Sequence, residues 1–579
     1  MGLGLVLQGH AFAKADPDKV IRIAFEQADN GFDMQRVSSL YSTWMSEAIY
    51  ETLMIYDYLA RPAKLVPQVA EDMPEITNDG RTYTFRIRKG IFFTPDPAFK
   101  DQKRELTSTD VAYTLKRIMD PKTLSPQAGS FEGKFVGMEE LVKEAKASGK
   151  FDYDKPIAGL ETPDKYTLRL NLAEPDSTML HLLANSHSGI VAREVVEANN
   201  NDVGRHPVGT GAYMLKEYVP GSRVILVANP DYRGFTWDFK ASEPGDERLV
   251  KEMKGKQMPQ VGRIEVLFIE EDQSRWLAFD SGQIDLAELA DHASTKVLDN
   301  GKLRPAFVEK GIKISRSLAP AITYTFFNFR DPQVGGFSLE KIALRRALAM
   351  SYRVKDEIVQ VRYGQAVRAQ SIIPPGVYGY DPAYRNSIPY DPDLANKLLD
   401  RFGYKKGPDG FRNHPDGKPL VLRIHSAPST RDKAIMEIWK RSLDAIGVRA
   451  EFPVSSFADN LKAAYRCELM MWQLGGVAGI PDGMDFLDSY YGPNAGRGAN
   501  RNCYQSEAYD EMFRKARILP EGPERLALYQ KMVRQLEADT AITLNLWRYR
   551  NFLSQGRVLG YKKHPIMYGD WRFLDVEKK

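Results

Sequence analysis

The sequence predicts an α/β chain organised into more than one lobe. Strand-like alternation and helix-like spacing of apolar residues follow one another along most of the chain. Its 579 residues exceed what one hydrophobic core organises. Composition adds that 43% of residues are hydrophobic and 27% charged, the balance of a soluble globular protein. A net charge of +4, from 80 basic and 76 acidic residues without a basic run, gives no electrostatic case for nucleic acid. No apolar run after the N-terminus reaches the roughly 18 residues of a membrane span.

The elements follow in order. "VIRIAF" (20–25) reads as a strand. "VSSLYSTWMSEAIYETLMIY" (37–56) predicts one helix, with Leu40, Trp44, Ile49 and Leu53 as its apolar stripe. In "RTYTFRIRKGIFF" (81–93) Tyr83, Phe85 and Ile87 share one face, and Thr82, Thr84 and Arg86 the other, which is a strand with one wet side. A helix then opens at a Thr107/Asp110 capping pair, buries Val111, Leu115 and Ile118, and stops at Pro121.

"HPVGTGAYMLKEYVPGSRVILVANPDYRG" (206–234) contains Gly209-Thr210-Gly211, a glycine pair of the kind that cradles phosphate. A phosphate loop needs a helix just downstream and a Gly-Lys-Ser/Thr. Here two strands flank a Pro220-Gly221 turn instead. The glycines are read as a sharp backbone entry into a hairpin, where glycine tolerates positive φ. Residues 260–289 then read strand, helix, glycine turn, strand, and "TYTFFNFR" (323–330) is a further strand. Helices are expected after Ser338, from an Asp391-Pro392 start to Gly403, from Ser429 to Gly447, and through Leu526, Tyr529, Val533 and Leu536, the last followed by strand "AITLNLW".

The catalytic inventory is short. Among eight histidines only His181 and His187 are near neighbours, and six residues apart on a helix they face different ways. There is no H-E-x-x-H, C-x-x-C or G-x-S-x-G, so no enzyme, metal or cofactor is expected. An exported hydrolase acting on glycans or peptides through two distant carboxylates is the alternative. At the N-terminus, an apolar run from Leu3 to Leu7 precedes Ala11-Phe12-Ala13, an A-x-A cleavage site, so residues 1–13 read as the remnant of a signal peptide. No cysteine stands near it to carry a lipid anchor. The two cysteines, Cys467 and Cys503, are candidates for a disulfide in an oxidising compartment, with two buried thiols as the other reading.

Several segments together resemble one family, the extracellular solute-binding proteins of family 5, receptors of ABC importers for dipeptides, oligopeptides and nickel. "HPVGTGAYMLKEYVPGSRVILVANPDYRG" is similar to the family's Gly-Thr-Gly-Pro-Tyr hairpin, with Ala212 where proline is usual. "YTFRIRKGIFF" with "ELTSTDVAYTLKRI" resembles its strand, Lys-Gly turn and Asp-Val helix, and "LAFDSGQIDL" its Ser-Gly-Glu-Ile-Asp turn. "FFNF" with "IALRRALAMSYRVKDEIVQVRYGQA" resembles its Phe-Asn strand and Arg-Gln-Ala-Leu helix, with Arg346 where glutamine is common. "DPDLANKLLDRFGY" is similar to its Asp-Pro-Glu-Lys-Ala-x-x-Leu-Leu helix. The matches run in the family's order from about Val20 to Leu553.

The resemblance implies a type II periplasmic-binding-protein fold with an extra subdomain and two lobes joined by two crossing segments. The base lobe is expected at 20–54, 205–315 and 545–579, the subdomain at 55–204 and the second lobe at 316–544. The implied role is capture of a peptide-like or other mid-sized polar solute by lobe closure and delivery to a permease at the inner membrane. The implied protein is a periplasmic monomer that needs no cofactor.

In peptide-binding members a Trp-x-x-Asp segment lies in the cleft, and the Asp pairs with the peptide's α-ammonium. Trp472 matches the tryptophan, but the acid's place falls on Gly475, or on Gly479 when counted back from Phe486-Leu487. Asp482 and Asp485, in a loop about four residues longer, are candidates to replace it. The expected ligand-binding residues are Trp472 as a stacking wall, Gln473 and Asp482 as polar contacts, Phe326 and Asn328 on the second lobe's first strand, and Gln27 and Asp29 after the opening strand, where α/β ligands often sit.

Overall fold

The structure, a computed structural model, describes residues 15–26, 29–496 and 499–578. Segment 1–13, expected to be a signal-peptide remnant, and Gln27 lie outside the described residues. The fold is mixed α/β, and the chain divides into two compact units. The first comprises the described residues of Met1–Leu289 with Leu303–Ser315 and Phe552–Lys579, and the second comprises Ala290–Lys302 with Arg316–Asn551.

The main sheet of the first unit runs Leu286–Glu288, Asp16–Phe25, Val261–Phe268, Arg223–Ala228, Tyr213–Val219. Strand Asp16–Phe25 is parallel to both of its neighbours, and the hairpin 213–228 adds antiparallel strands at the edge. Ile21, Ile23 and Phe25 are buried in strict alternation, as a pleated strand with one core face requires. A separate antiparallel sheet orders Glu75–Thr77, Thr82–Arg86, Thr167–Asn171, Leu160–Asp164. Tyr83 and Phe85 are buried there while Arg86 is exposed, matching the alternation in the sequence.

Helix Ser108–Met119 starts where the capping pair places it. The Asp110 carboxylate accepts the Thr107 N–H at 2.7 Å, so an otherwise orphan donor of the first turn is satisfied. The Asp391 side chain likewise accepts the Leu394 N–H at 2.8 Å and starts helix Pro392–Arg401.

The single helix expected over 37–56 is not formed. Only Leu40–Ser46 is helical, and Met54–Tyr56 is a strand paired with Leu65–Pro67. Tertiary demand overrides the apolar spacing. The Ile49 carbonyl accepts the Gly211 N–H at 2.7 Å, and the Ala48 carbonyl accepts the Tyr213 N–H at 3.0 Å, so neither is free for a helical ladder.

The same contact corrects the reading of the Gly-Thr-Gly loop. Neither Gly209 nor Gly211 has positive φ; glycine is needed because the two backbones nearly touch. A Cβ on Gly209 would lie 2.1 Å from the Ile49 carbonyl oxygen, and one on Gly211 2.6 Å from it. Thr210, between them, donates at 3.0 Å to the buried Glu51, which Arg233 grips with two bonds of 2.7 and 2.8 Å. The loop joins backbone to backbone around a buried ion pair.

In the second unit the sheet order is Arg449–Glu451, Val421–His425, Met471–Val477, Ala321–Phe327, then strand Ile542–Ser554, on which Ala366–Arg368 also pairs. Ala321–Phe327 is buried along its whole length, as a central strand covered on both faces must be. Helices Leu339–Ser351 and Thr430–Ala445 pack Leu344, Leu348, Ile438 and Trp439 into this unit's core.

Replacing Gly209 with alanine forces a Cβ into a backbone carbonyl that no rotamer change relieves. G209A is expected to lose about 2 kcal/mol or more of unfolding free energy in denaturant titration, and a neutral G209A contradicts the close-approach reading.

Candidate functional site

The expected site residues of the second unit fall on two faces of one sheet. Trp472 stands opposite Phe326 across strands Met471–Val477 and Ala321–Phe327. Side chains alternate along a strand, so Gln473 points to the other face. The structure therefore brings Trp472 and Phe326 together and directs Gln473 away from both.

Trp472 is 2% exposed and packs on Phe457, with ring centroids 5.3 Å apart. Phe326, at 1% exposure, is equally enclosed. Asn328 is turned to the backbone: its Nδ2 donates to the Cys467 carbonyl at 2.7 Å, and its Oδ1 accepts the Arg330 N–H at 2.9 Å. Cys467 and Cys503 form a disulfide, which closes the chain between residues 467 and 503.

Gln473 serves a buried carboxylate that the sequence did not single out. Glu357 is fully enclosed. Its Oε1 accepts the Gln473 Nε2–H at 2.8 Å, and its Oε2 accepts the Tyr352 hydroxyl at 2.9 Å and the Asn545 amide at 3.1 Å. Burial pushes the Glu357 carboxyl above its ordinary range, opposed by the Arg362 charge and these donors. The residue sits at the start of Glu357–Val361, a π-helical turn.

Asp482 is engaged too. Its Oδ1 accepts the Tyr529 hydroxyl at 2.6 Å and the Met484 N–H at 2.8 Å. Its Oδ2 lies 2.9 Å from Arg525 Nη2, and both side chains are fully buried. That approach is an ion pair by distance without the alignment of a hydrogen bond. The Arg525 guanidinium also lies over the rings of Tyr378 and Tyr529, at 5.5 and 5.2 Å. Asp482 is thus committed to the interior.

Asp485 occupies the space beside one of the two glycines. Its Oδ2 accepts the Gly479 N–H at 2.8 Å, and a Cβ on Gly479 would meet that carboxylate at 3.8 Å. Burial, reinforced by the nearby charges of Asp488 and Asp482, pushes the Asp485 carboxyl up to about 6, against the Gly479 N–H that favours the charged form. Beside Gly475 the space is open: a Cβ there meets only the Ile322 carbonyl oxygen, at 3.8 Å. In the first unit, Asp29 accepts the Tyr218 hydroxyl at 2.5 Å and the Gly31 N–H at 2.8 Å.

The model of the bacterial extracellular solute-binding proteins, family 5 Middle, matches residues 64–498. The chain belongs to this family. Di/tripeptide-binding protein 2 of Pseudomonas aeruginosa is 26% identical over a 588-residue alignment covering 99% of this chain and 98% of that protein. Heme-binding protein A of Haemophilus influenzae is 23% identical, covering 92% of this chain and 88% of that one. Among solved structures, the periplasmic binding protein DppA from Helicobacter pylori, in complex with the peptide STSA, superposes with a TM-score of 0.71 at 23% identity, covering 97% of this chain and 99% of that one. The family-5 fold expected from the resemblance is the fold of this chain. Among the described residues no helix is long and apolar enough to cross a membrane.

Removing Glu357 as E357L strands three donors, two of them buried, and is expected to cost about 3 kcal/mol or more in denaturant unfolding, with E357Q costing less; equal stability of E357L and the parent contradicts the network. For Asp485 the folded pKa stands above the unfolded value near 3.8, so ionisation weighs against the fold as pH rises through about 6. D485N is expected to melt higher than the parent above pH 6, with the difference closing below about pH 4. A difference that widens toward acid contradicts this assignment.

Proposed function

We propose that this chain is the substrate-binding component of an ABC importer: an exported, periplasmic receptor that captures a peptide-like or other mid-sized polar solute and hands it to a membrane permease. The observation that carries the reading is the family match over residues 64–498, joined to relatives that align along nearly the whole chain. The ligands in the names of those proteins, di/tripeptides and heme, and the peptide STSA bound in the solved relative support this solute class. Non-covalent capture asks for no nucleophile or general base. The hydrolase alternative gains no support from the relatives.

Within that class the chain departs from a simple receptor for free-amine peptides. Both places where the resemblance puts an acid for the α-ammonium are glycines, Gly475 and Gly479. Asp482 is held by Arg525 and Tyr529, and Asp485 by the Gly479 N–H. A buried ammonium without a carboxylate partner is strongly disfavoured. We therefore read the solute as one whose capture does not hinge on a free α-ammonium.

A thermal-shift screen of short peptides, N-blocked peptides, sugars and metal chelates tests this. A true solute at 100 times its Kd stabilises the chain by about 2.7 kcal/mol. N-blocked peptides or other solutes lacking a free amine are expected to protect at least as well as free peptides. Protection by free-amine peptides alone, abolished by N-blocking, contradicts the reading.

A further inference from the structure

The first unit holds a cavity of about 860 Å³, within the roughly 300–1,000 Å³ of small-molecule sites. Helix Ser108–Met119, helix Arg193–Ala198 and strand Leu160–Asp164 all line it, and the loop through Tyr153 and Pro156 completes it. Its apolar surface comes from Tyr113 and Tyr153, whose ring centroids lie 4.9 Å apart, and from Pro156 and Pro163. The Arg193 guanidinium spans both tyrosine rings, 5.9 and 6.0 Å from their centroids.

The charged groups of the lining balance one another in place. Arg104 donates to Asp110 at 2.6 and 3.0 Å and to Glu194 at 2.8 Å. Arg193 donates to Glu197 at 2.6 Å and also to Asp154, and Arg169 donates to Glu161 at 2.9 Å. An ionic ligand must pull one of these pairs apart and leave a partner behind. A hydroxyl needs no such exchange, because it donates to a carboxylate oxygen and accepts from a guanidinium N–H at once. Two further groups on the helix are short of bonds. Tyr113 is 6% exposed, and its hydroxyl is enclosed without a hydrogen-bond partner among the described residues. Lys116, three residues on and 7% exposed, spends two of its three N–H donors on the Tyr153 and Lys155 carbonyls, each at 2.8 Å. Asp152 and Asp154 favour its charge against the burial that lowers its pKa, but neither pairs with it. A solute oxygen supplies the bond that each of these groups lacks.

We propose that this cavity of the first unit is a binding site for a neutral, hydroxyl-rich solute, chemically a small saccharide. The two tyrosines and the prolines offer its ring faces an apolar wall. The paired arginines and acids meet its hydroxyls without being separated, and Tyr113 and Lys116 hold two of its oxygens. Every residue of the site belongs to the first unit, so it stands or falls apart from the receptor reading.

The test is calorimetric titration of the full chain with maltose, cellobiose and trehalose, with citrate and spermidine as charged controls. At least one of the sugars is expected to bind the parent saturably and more tightly than either control. T109W places a large ring at an exposed position of the lining and is expected to abolish that binding while melting as the parent does. Y113F removes only the orphaned hydroxyl. It is expected to be at least as stable as the parent yet to bind the sugar about fivefold more weakly, a pair of results that a tyrosine serving only the core does not give. If no sugar binds the parent, or if T109W and Y113F both bind as tightly as the parent, the proposal is overturned. Tighter binding of citrate or spermidine than of every sugar overturns it as well.

Discussion

A carboxylate enclosed in the second unit organises the site region. Glu357 has no access to water, so each oxygen must find its donors inside the protein. Those donors come from three further places in the chain: Tyr352, Gln473 and Asn545. The requirement ties the π-helical turn to strand Met471–Val477 and to strand Ile542–Ser554. It also fixes which face of the sheet Gln473 occupies. Because neighbours on a strand point opposite ways, Trp472 is then committed to the face it shares with Phe326 and Phe457. One buried acid thus sets both the polar and the aromatic side of this sheet, and it places Arg362 five residues further along the chain.

The first unit uses the same device. Glu51, buried and gripped by Arg233, receives the Thr210 hydroxyl between two glycines that press against the Ile49 carbonyl. In both units, buried polar groups with partners distant in sequence hold the sheets in one arrangement. Apolar cores tolerate alternatives of similar volume, whereas a buried charge with several directed bonds accepts few. A receptor that recognises a polar solute needs that rigidity, because its recognising groups must be held in place before the solute arrives.

Much of the fold was legible because its signals are local. The Thr107/Asp110 pair, the Asp391-Pro392 start and the Pro220-Gly221 turn each act within four residues, and each stands where it was read. The helix predicted over 37–56 failed because its later carbonyls are claimed by Gly211 and Tyr213, some 160 residues on, which no local pattern reveals. The site was less legible for the same reason. Nothing local in "YRVKDEIVQVRYG" marks Glu357 for burial, since two of its three donors lie 116 and 188 residues away. Asp482 invited a ligand role from its loop, yet Arg525 and Tyr529, on a later helix, take it up. The opposite facing of Trp472 and Gln473 was readable from strand alternation alone once Met471–Val477 is a strand.

The central claim is that this chain holds one small solute by non-covalent contacts. The most direct measurement is native mass spectrometry of the protein purified without refolding, followed by the same measurement under denaturing conditions. The account predicts a folded species heavier than the bare chain by one solute, which leaves intact on denaturation. A mass increment that survives denaturation as a covalent adduct, or a solute that emerges chemically cleaved, would contradict it.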